Sequence, residues 1–273
     1  MINFERKKNV NIVALVDNTQ FGIAAAEHGL ALAGVFEASL ILVRTKLLEN
    51  MDEIKNHLIS INPDIEIKEQ TFKKIGDKSF IKFINESETA ALVLAASKIK
   101  NEYVFWHKKV LKLILKLRVP SLVCGRKGGV QTDYKNIFLP IDSHQQTKEK
   151  VLWAGYFYRF YKSNIKVLTY NYSDEYLRNR IKHNFNFLIR LYSNLEVEYI
   201  HETLDFDKEF SIDEKAIQLA HDNNAGLILI MTTKYKNLFD YIYGVPELEI
   251  LANDQNLPIL CLNRRDDLYV LCT

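Results

Sequence analysis

The chain has 273 residues, 48% of them hydrophobic and 26% charged, a composition that suits two domains of ordinary size with cores needing neither metal nor disulfide. Lys and Arg number 36 against 34 Asp and Glu, for a formal net charge of +2. A balance that even lacks the basic footprint of a nucleic-acid binder.

Arg6, Lys7 and Lys8 precede an apolar run that is too short, and too interrupted by Asn11 and Asp17, for a signal peptide. Residues 10–16 read instead as a first strand. Ile23, Ala26, Leu30 and Ala33 then share one helical face, and 39–43 is a second strand. Leu47, Met51, Ile54, Leu58 and Ile61 recur at helical spacing, and 65–72 alternates apolar and polar residues as a half-buried strand does. Phe80, Ile81 and Ile84 mark a helix, 91–96 a fully apolar strand, 110–117 a helix, and 120–124 a last strand. Residues 125–133, opening with Gly125-Arg-Lys-Gly-Gly129, are a linker by composition. That stretch joins strand to strand, whereas phosphate loops join strand to helix.

The second half repeats this order. Trp153, Tyr156, Phe157 and Phe160 are expected to form the inner face of its first helix, and Leu177, Ile181, Phe185, Leu188 and Tyr192 that of its second. Ser211-Ile-Asp-Glu214 is a capping box opening the third helix, 227–231 is a buried fourth strand and 257–262 the last. The residues themselves repeat: Asn11-Ile-Val-Ala-Leu-Val-Asp17 returns as Asn136-Ile-Phe-Leu-Pro-Ile-Asp142, and Leu117-Arg-Val-Pro-Ser-Leu-Val-Cys124 is answered by Asn256-Leu-Pro-Ile-Leu-Cys261. Strands alternating with helices, twice over, predict an α/β protein with two parallel sheets and right-handed crossovers.

On strand one ending in Asp17 or Asp142, the strand order and the proline-containing last strands, the repeated unit resembles the universal stress protein domain in its tandem form. The resemblance covers nearly the whole chain, with 1–127 as the first domain and 134–273 as the second. It implies two Rossmann-like (adenine nucleotide alpha hydrolase-like) domains, each a five-stranded parallel sheet with four flanking helices. It also implies that the last strands of the two domains, 120–124 and 258–262, pair across a two-fold axis, making the chain an intrachain pseudo-dimer.

Nucleotide-binding members of that family carry a glycine pattern after the fourth strand: Gly, two residues, Gly, nine residues, Gly, then Ser or Thr. Those places fall here on Met231, Lys234, Gly244 and Val245, so only Gly244 matches. A Cβ in such a loop obstructs the approach of main-chain amides to phosphate. The first half has no glycine between its fourth strand and Gly125. Asp17 and Asp142 match the family aspartate that lies against adenosine, at the carboxyl edge where open α/β sheets bind ligands. Their competing role is to cap the next helix or close the strand-to-helix turn. If an adenine nucleotide such as ATP binds, the candidate residues are Asp142, Thr232, Lys234 and Gly244 in the second domain. Asp17 and Ser97 are the weaker counterparts in the first, with side chains replacing the missing amides.

Other chemistry finds little support. The seven histidines show no HxxxH spacing, and the three cysteines form no CxxC pair, which argues against a metal site and for a reducing cytoplasm. Cys124 and Cys261 read as small apolar residues of the last strands. No nucleophile elbow, Walker loop or paired-carboxylate motif occurs, so the chain is not expected to be an enzyme. Lys108, Lys112 and Lys116 oppose Leu111, Ile114 and Leu115, as on a sheet-covering helix with a solvated face, and no run is long enough to span a membrane. The sequence therefore predicts a cytoplasmic regulatory or scaffolding protein of stress response without ordinary ATP binding, with an adenine-nucleotide sensor as the alternative. Its partners are expected to be proteins, including a second copy of the chain, and neither nucleic acid nor membrane.

Overall fold

Runs of Val, Ile and Leu that can be buried on both faces form the central strands, and segments with an apolar stripe form the helices that cover them. The computed structural model describes residues 10–17, 19–45, 51–95, 107–125, 134–232 and 257–263. The first half contains β1 (Asn11–Leu15), α1 (Gln20–Phe36), β2 (Ser39–Thr45), α2 (Met51–Ile61), β3 (Ile67–Phe72), α3 (Lys78–Glu86), β4 (Thr89–Ala95), α4 (His107–Ile114) and β5 (Ser121–Cys124). The second contains β6 (Asn136–Pro140), α5 (Thr147–Tyr161), β7 (Asn164–Asn171), α6 (Glu175–Leu195), β8 (Tyr199–Asp205), α7 (Ile212–Asp222), β9 (Leu227–Met231) and β10 (Ile259–Leu262). A fourth helix of the second half, expected between β9 and β10, lies outside the described residues, as do 126–133 of the linker.

The ten strands of the described residues join one continuous sheet in the order β3-β2-β1-β4-β5-β10-β9-β6-β7-β8. Neighbours run parallel within each half and antiparallel at the middle, where Val123, Leu122 and Ser121 pair with Ile259, Leu260 and Cys261. The two parallel sheets expected from the sequence are thus halves of one sheet, joined by the pairing of last strands that the family resemblance implied. In each half the strand order reverses beside the first strand, between β1 and β4 and between β6 and β9, which places Asp17 and Asp142 at the switch points.

Successive strand residues feed opposite layers. Ile12 and Ala14 pack beneath α1 and α2, in a core that continues under α5 and α6, while Val13 and Leu15 meet α3 and α4, in a core that continues under α7. The first helices of the two halves end alike, on Glu37 (φ 50, ψ 43) and Lys162 (φ 51, ψ 44), each with its N–H returned to a carbonyl four residues back.

Two helical faces differ from expectation. On α1, Ile23 is exposed, and the buried face is built of small residues, including Ala25, Ala26, Gly29 and Ala33. A Cβ at Gly29 would meet Leu40 Cδ1 at 2.9 Å and Ala14 Cβ at 3.0 Å, so the helix lies low on the sheet. On α5, only Phe157 of the four predicted aromatics is buried; the sheet-facing residues are Thr147, Lys150, Val151, Ala154 and Phe157. Trp153 and Phe160 turn toward the first half, each 5.9 Å from the Phe36 ring at the end of α1. The helix is apolar on two sides because it packs against both the sheet and its counterpart helix.

The junction between halves also holds polar anchors. Tyr134, fully buried at φ 40, stacks edge-on against Phe157 and Tyr161 and places its hydroxyl 2.6 Å from His28 Nδ1. Burial pulls His28 down to about 4 and pushes Tyr134 well above the usual phenol range, so the bond joins a neutral imidazole to a protonated phenol. Tyr161 donates its hydroxyl to the Ala31 carbonyl of α1 at 3.2 Å.

Candidate functional site

Asp17 follows β1 and is buried. Its Oδ1 accepts from the Thr19 N–H at 3.0 Å, the Gly22 N–H at 3.2 Å and the Thr19 hydroxyl, while Thr19 Oγ1 accepts from the Phe21 N–H at 3.2 Å. The carboxylate therefore closes the strand-to-helix turn and helps cap α1, whose N-cap residue is Thr19. Gly22 makes this possible, because a Cβ there would fall onto the Asp17 backbone and carboxylate. Ser97, the other first-half candidate, lies outside the described residues.

Asp142, its counterpart after β6, has a different environment. Its Oδ1 accepts from the His144 N–H at 2.8 Å, and its Oδ2 lies 4.0 Å from Lys150 Nζ. Lys150 is fully buried and also reaches Asp213 Oδ1, at 3.4 Å. Asp213 sits in the first turn of α7, where a helix amino terminus favours negative charge. That terminus is set by the expected capping box: Glu214 N–H donates to Ser211 Oγ at 3.2 Å, and Ser211 N–H to Glu214 Oε2 at 2.7 Å. One buried ammonium thus bridges two buried carboxylates at the carboxyl edge of the second half.

The loop carrying Asp142 is strapped down by α6. Asn184 Nδ2 donates to the carbonyls of Asp142 and His144 at 2.8 and 2.9 Å, and Arg180 Nε to that of Ser143 at 2.7 Å. A pocket of about 420 Å³ opens beside this strap, lined by Gln145, Tyr176, Asn179, Arg180, His183 and Asn184.

Thr232 is buried just past β9, and its side chain is engaged elsewhere. Its N–H and hydroxyl both donate to the Leu262 carbonyl, at 2.9 and 3.2 Å, and the hydroxyl also contacts Asn263 Oδ1. Asn263 Nδ2 in turn donates to the carbonyls of Ile114 and, at 2.9 Å, Leu117, at the carboxyl end of α4. This chain of bonds ties the end of the second half to the first. Lys234 and Gly244 lie outside the described residues.

Of the sequence-based candidates among the described residues, Asp142 alone is joined to further charged groups, and those groups, Lys150 and Asp213, were missed. The available signal was Lys150 itself: it shares a helical face with Val151, Ala154 and Phe157, and a lysine on such a stripe needs a buried counter-charge. Cys124 and Cys261 are buried as expected, and burial pushes the Cys124 thiol up to about 12. Among the described residues, no group of three or more His, Cys, Asp or Glu is arranged to hold a metal, and no helix is long and apolar enough to cross a membrane.

Solved structures match this architecture over nearly their full length. A functionally unknown protein of Pseudomonas aeruginosa PAO1 superposes with a TM-score of 0.65 at 12% identity, covering 97% of this chain and 96% of its own. A universal stress protein of Archaeoglobus fulgidus DSM 4304 gives 0.65 at 9% identity, covering 93% and 98%. The fold is that of the universal stress proteins. It spans both halves of the chain, as the sequence resemblance implied. The universal-stress-protein fold also serves elsewhere, since the cytoplasmic domain of a prokaryotic cation chloride cotransporter matches at a TM-score of 0.55 and 11% identity, covering 96% and 99%. Fold alone therefore assigns no activity. No protein-family model and no curated protein matches the chain.

Proposed function

We propose that the protein is a regulatory or scaffolding module of the universal stress type, cytoplasmic and non-catalytic, that works through protein contacts or a small ligand without ordinary ATP binding. The observation that carries this reading is Lys150. The Asp142 carboxylate, whose family counterpart lies against adenosine, here faces a fully buried ammonium shared with Asp213. Asp142 is thereby engaged in an internal charge cluster instead of being presented to a ligand. In the first half, Asp17 is occupied in closing the turn before α1. Met231 and Lys234 in place of loop glycines argue in the same direction.

Calorimetric titration of ATP, ADP and AMP, with a search for nucleotide released on denaturation, tests the proposal. No heat and no co-purified nucleotide are expected. Submillimolar binding lost in Asp142→Ala would overturn the non-binding reading in favour of the nucleotide sensor, whose candidate residues are Asp142, Thr232, Lys234 and Gly244.

A second copy of the chain is the partner best supported by the surface. Among the described residues, the exposed large apolar side chains of the second half include Tyr176, Ile189, Leu195, Ile200 and Phe206, and Ile200 lies on the edge strand β8. Light scattering that gave the mass of a single chain across a wide concentration range would exclude this homodimer.

A further inference from the structure

The junction between the halves contains a cleft of about 390 Å³, bounded by the amino-terminal ends of β1, β4 and β5 on one side and by α5 and the end of β10 on the other. Its apolar wall comes from both halves: Phe36 of α1, and Leu152, Trp153 and Tyr156 of α5. The Trp153 ring lies 5.9 Å from Phe36 and 5.7 Å from Tyr156, so the aromatic surface is continuous. Leu152 is 37% exposed and Tyr156 47%, so part of this wall remains open to solvent. Two charged residues also line the cleft, Arg118 and the buried Glu149. Arg118 is fixed through its backbone N–H, which donates to Asn85 Oδ1 at 2.7 Å, and its exposed guanidinium has no ion-pair partner among the described residues.

We propose that this cleft binds a small aromatic carboxylic acid, its ring against Phe36, Trp153 and Tyr156 and its carboxylate on Arg118. The volume is near the lower end of the roughly 300–1,000 Å³ typical of small-molecule sites, which suits one or two fused rings. A planar guanidinium at the mouth matches a carboxylate in bidentate fashion. The cleft shares no lining residue with Asp142, Lys150 and Asp213, so the proposal stands whatever the nucleotide titration finds. Because both halves supply the wall, occupancy bears directly on how they sit together, and this is the ligand-responsive element a regulatory module requires.

The test uses 2-naphthoate and its uncharged match 2-naphthamide, titrated calorimetrically into the full chain. Saturable one-to-one binding of naphthoate is expected, with naphthamide about tenfold weaker, the ratio anticipated for loss of one charge-assisted hydrogen-bonded contact. Arg118→Ala should reduce naphthoate to the level of naphthamide. Leu152→Trp, which fills the apolar cleft, should abolish both, with Tyr156→Ala weakening both as a second variant. Wild-type melting temperatures verify that each variant is folded. Absence of saturable naphthoate binding, equal affinity for the two probes, or loss in Arg180→Ala instead of Arg118→Ala would overturn the proposal.

Discussion

Replacing Lys150 with methionine tests the charged triad directly. The change conserves most of the side-chain volume but removes the only ammonium within 4.0 Å of Asp142 Oδ2 and 3.4 Å of Asp213 Oδ1 among the described residues. Removing one partner of a buried ion pair costs about 3–5 kcal/mol, because the remaining charge is left in a medium that solvates it poorly. Lys150 serves two carboxylates and is fully buried, so the upper part of that range applies. For a chain of this length, a loss of that size lowers Tm by about 10 °C. Urea and thermal unfolding at neutral pH, followed by far-ultraviolet circular dichroism, measure both quantities. The combination Lys150→Met, Asp142→Asn, Asp213→Asn should recover most of the loss, since a neutral cluster of similar shape has no stranded charge. Lys148→Met, whose ammonium lies 3.4 Å from His183 at the surface, should cost under about 1 kcal/mol. A Lys150→Met protein that unfolds within about 1 kcal/mol of wild type, or a triple variant no more stable than the single one, would refute a buried charge cluster at this site.

Three further outcomes are expected. The unfolded chain binds a proton at His28 more readily than the folded one, whose imidazole titrates near 4 instead of 6.5, so stability is intact above that upper value and falls as pH drops through the window between them. The loss amounts to roughly 3 kcal/mol once pH is below both values, and a His28→Leu variant whose pH profile has the same slope as wild type would contradict it. Gly22→Ala places a Cβ 2.6 Å from Asp17 Oδ1 and should cost about 1–3 kcal/mol. Gly34→Ala on the same helix, where the new Cβ meets only Asn62 Nδ2 at 3.8 Å, should instead gain about 0.5–1 kcal/mol, and urea midpoints in the reverse order would be inconsistent with the packing. Asn263→Ala deprives the Ile114 and Leu117 carbonyls of their shared donor and should lower stability by about 1–3 kcal/mol; an unchanged midpoint would show those bonds to be dispensable.

What the sequence reveals and what it conceals divide along the range of the interactions involved. Strand cores such as residues 227–231 and the capping box Ser211–Glu214 depend on neighbours a few residues away, and both stand where local pattern put them. The alternation of strands and helices was legible because the chain states it twice. The face of α5 was not, since an aromatic at helical spacing looks the same whether it meets the sheet, as Phe157 does, or the first half, as Trp153 does. Lys150 was missed because its partner Asp213 is 63 positions away, and Tyr134 because nothing local marks the residue after a linker as core. Thr232 looked available as a polar residue after a buried strand; its engagement by Asn263 depends on where β10 docks.

The antiparallel meeting of β5 and β10 also sets an order of events in folding. β5 can pair with β4 as soon as the first half has been synthesised, but its other edge has no partner until Ile259, Leu260 and Cys261 have been made and threaded beside β9. A long loop must close before that contact forms, and such closures come late. Pulse-labelled hydrogen exchange during refolding should therefore protect the β5 amides that face β10 after those of β1 and β2. Until then the nascent first half carries a bare apolar strand edge, the kind of surface that chaperones cover and that aggregation exploits. Fusing the two copies keeps the completing strand on the same chain, at a local concentration that a separate subunit would have to reach by diffusion.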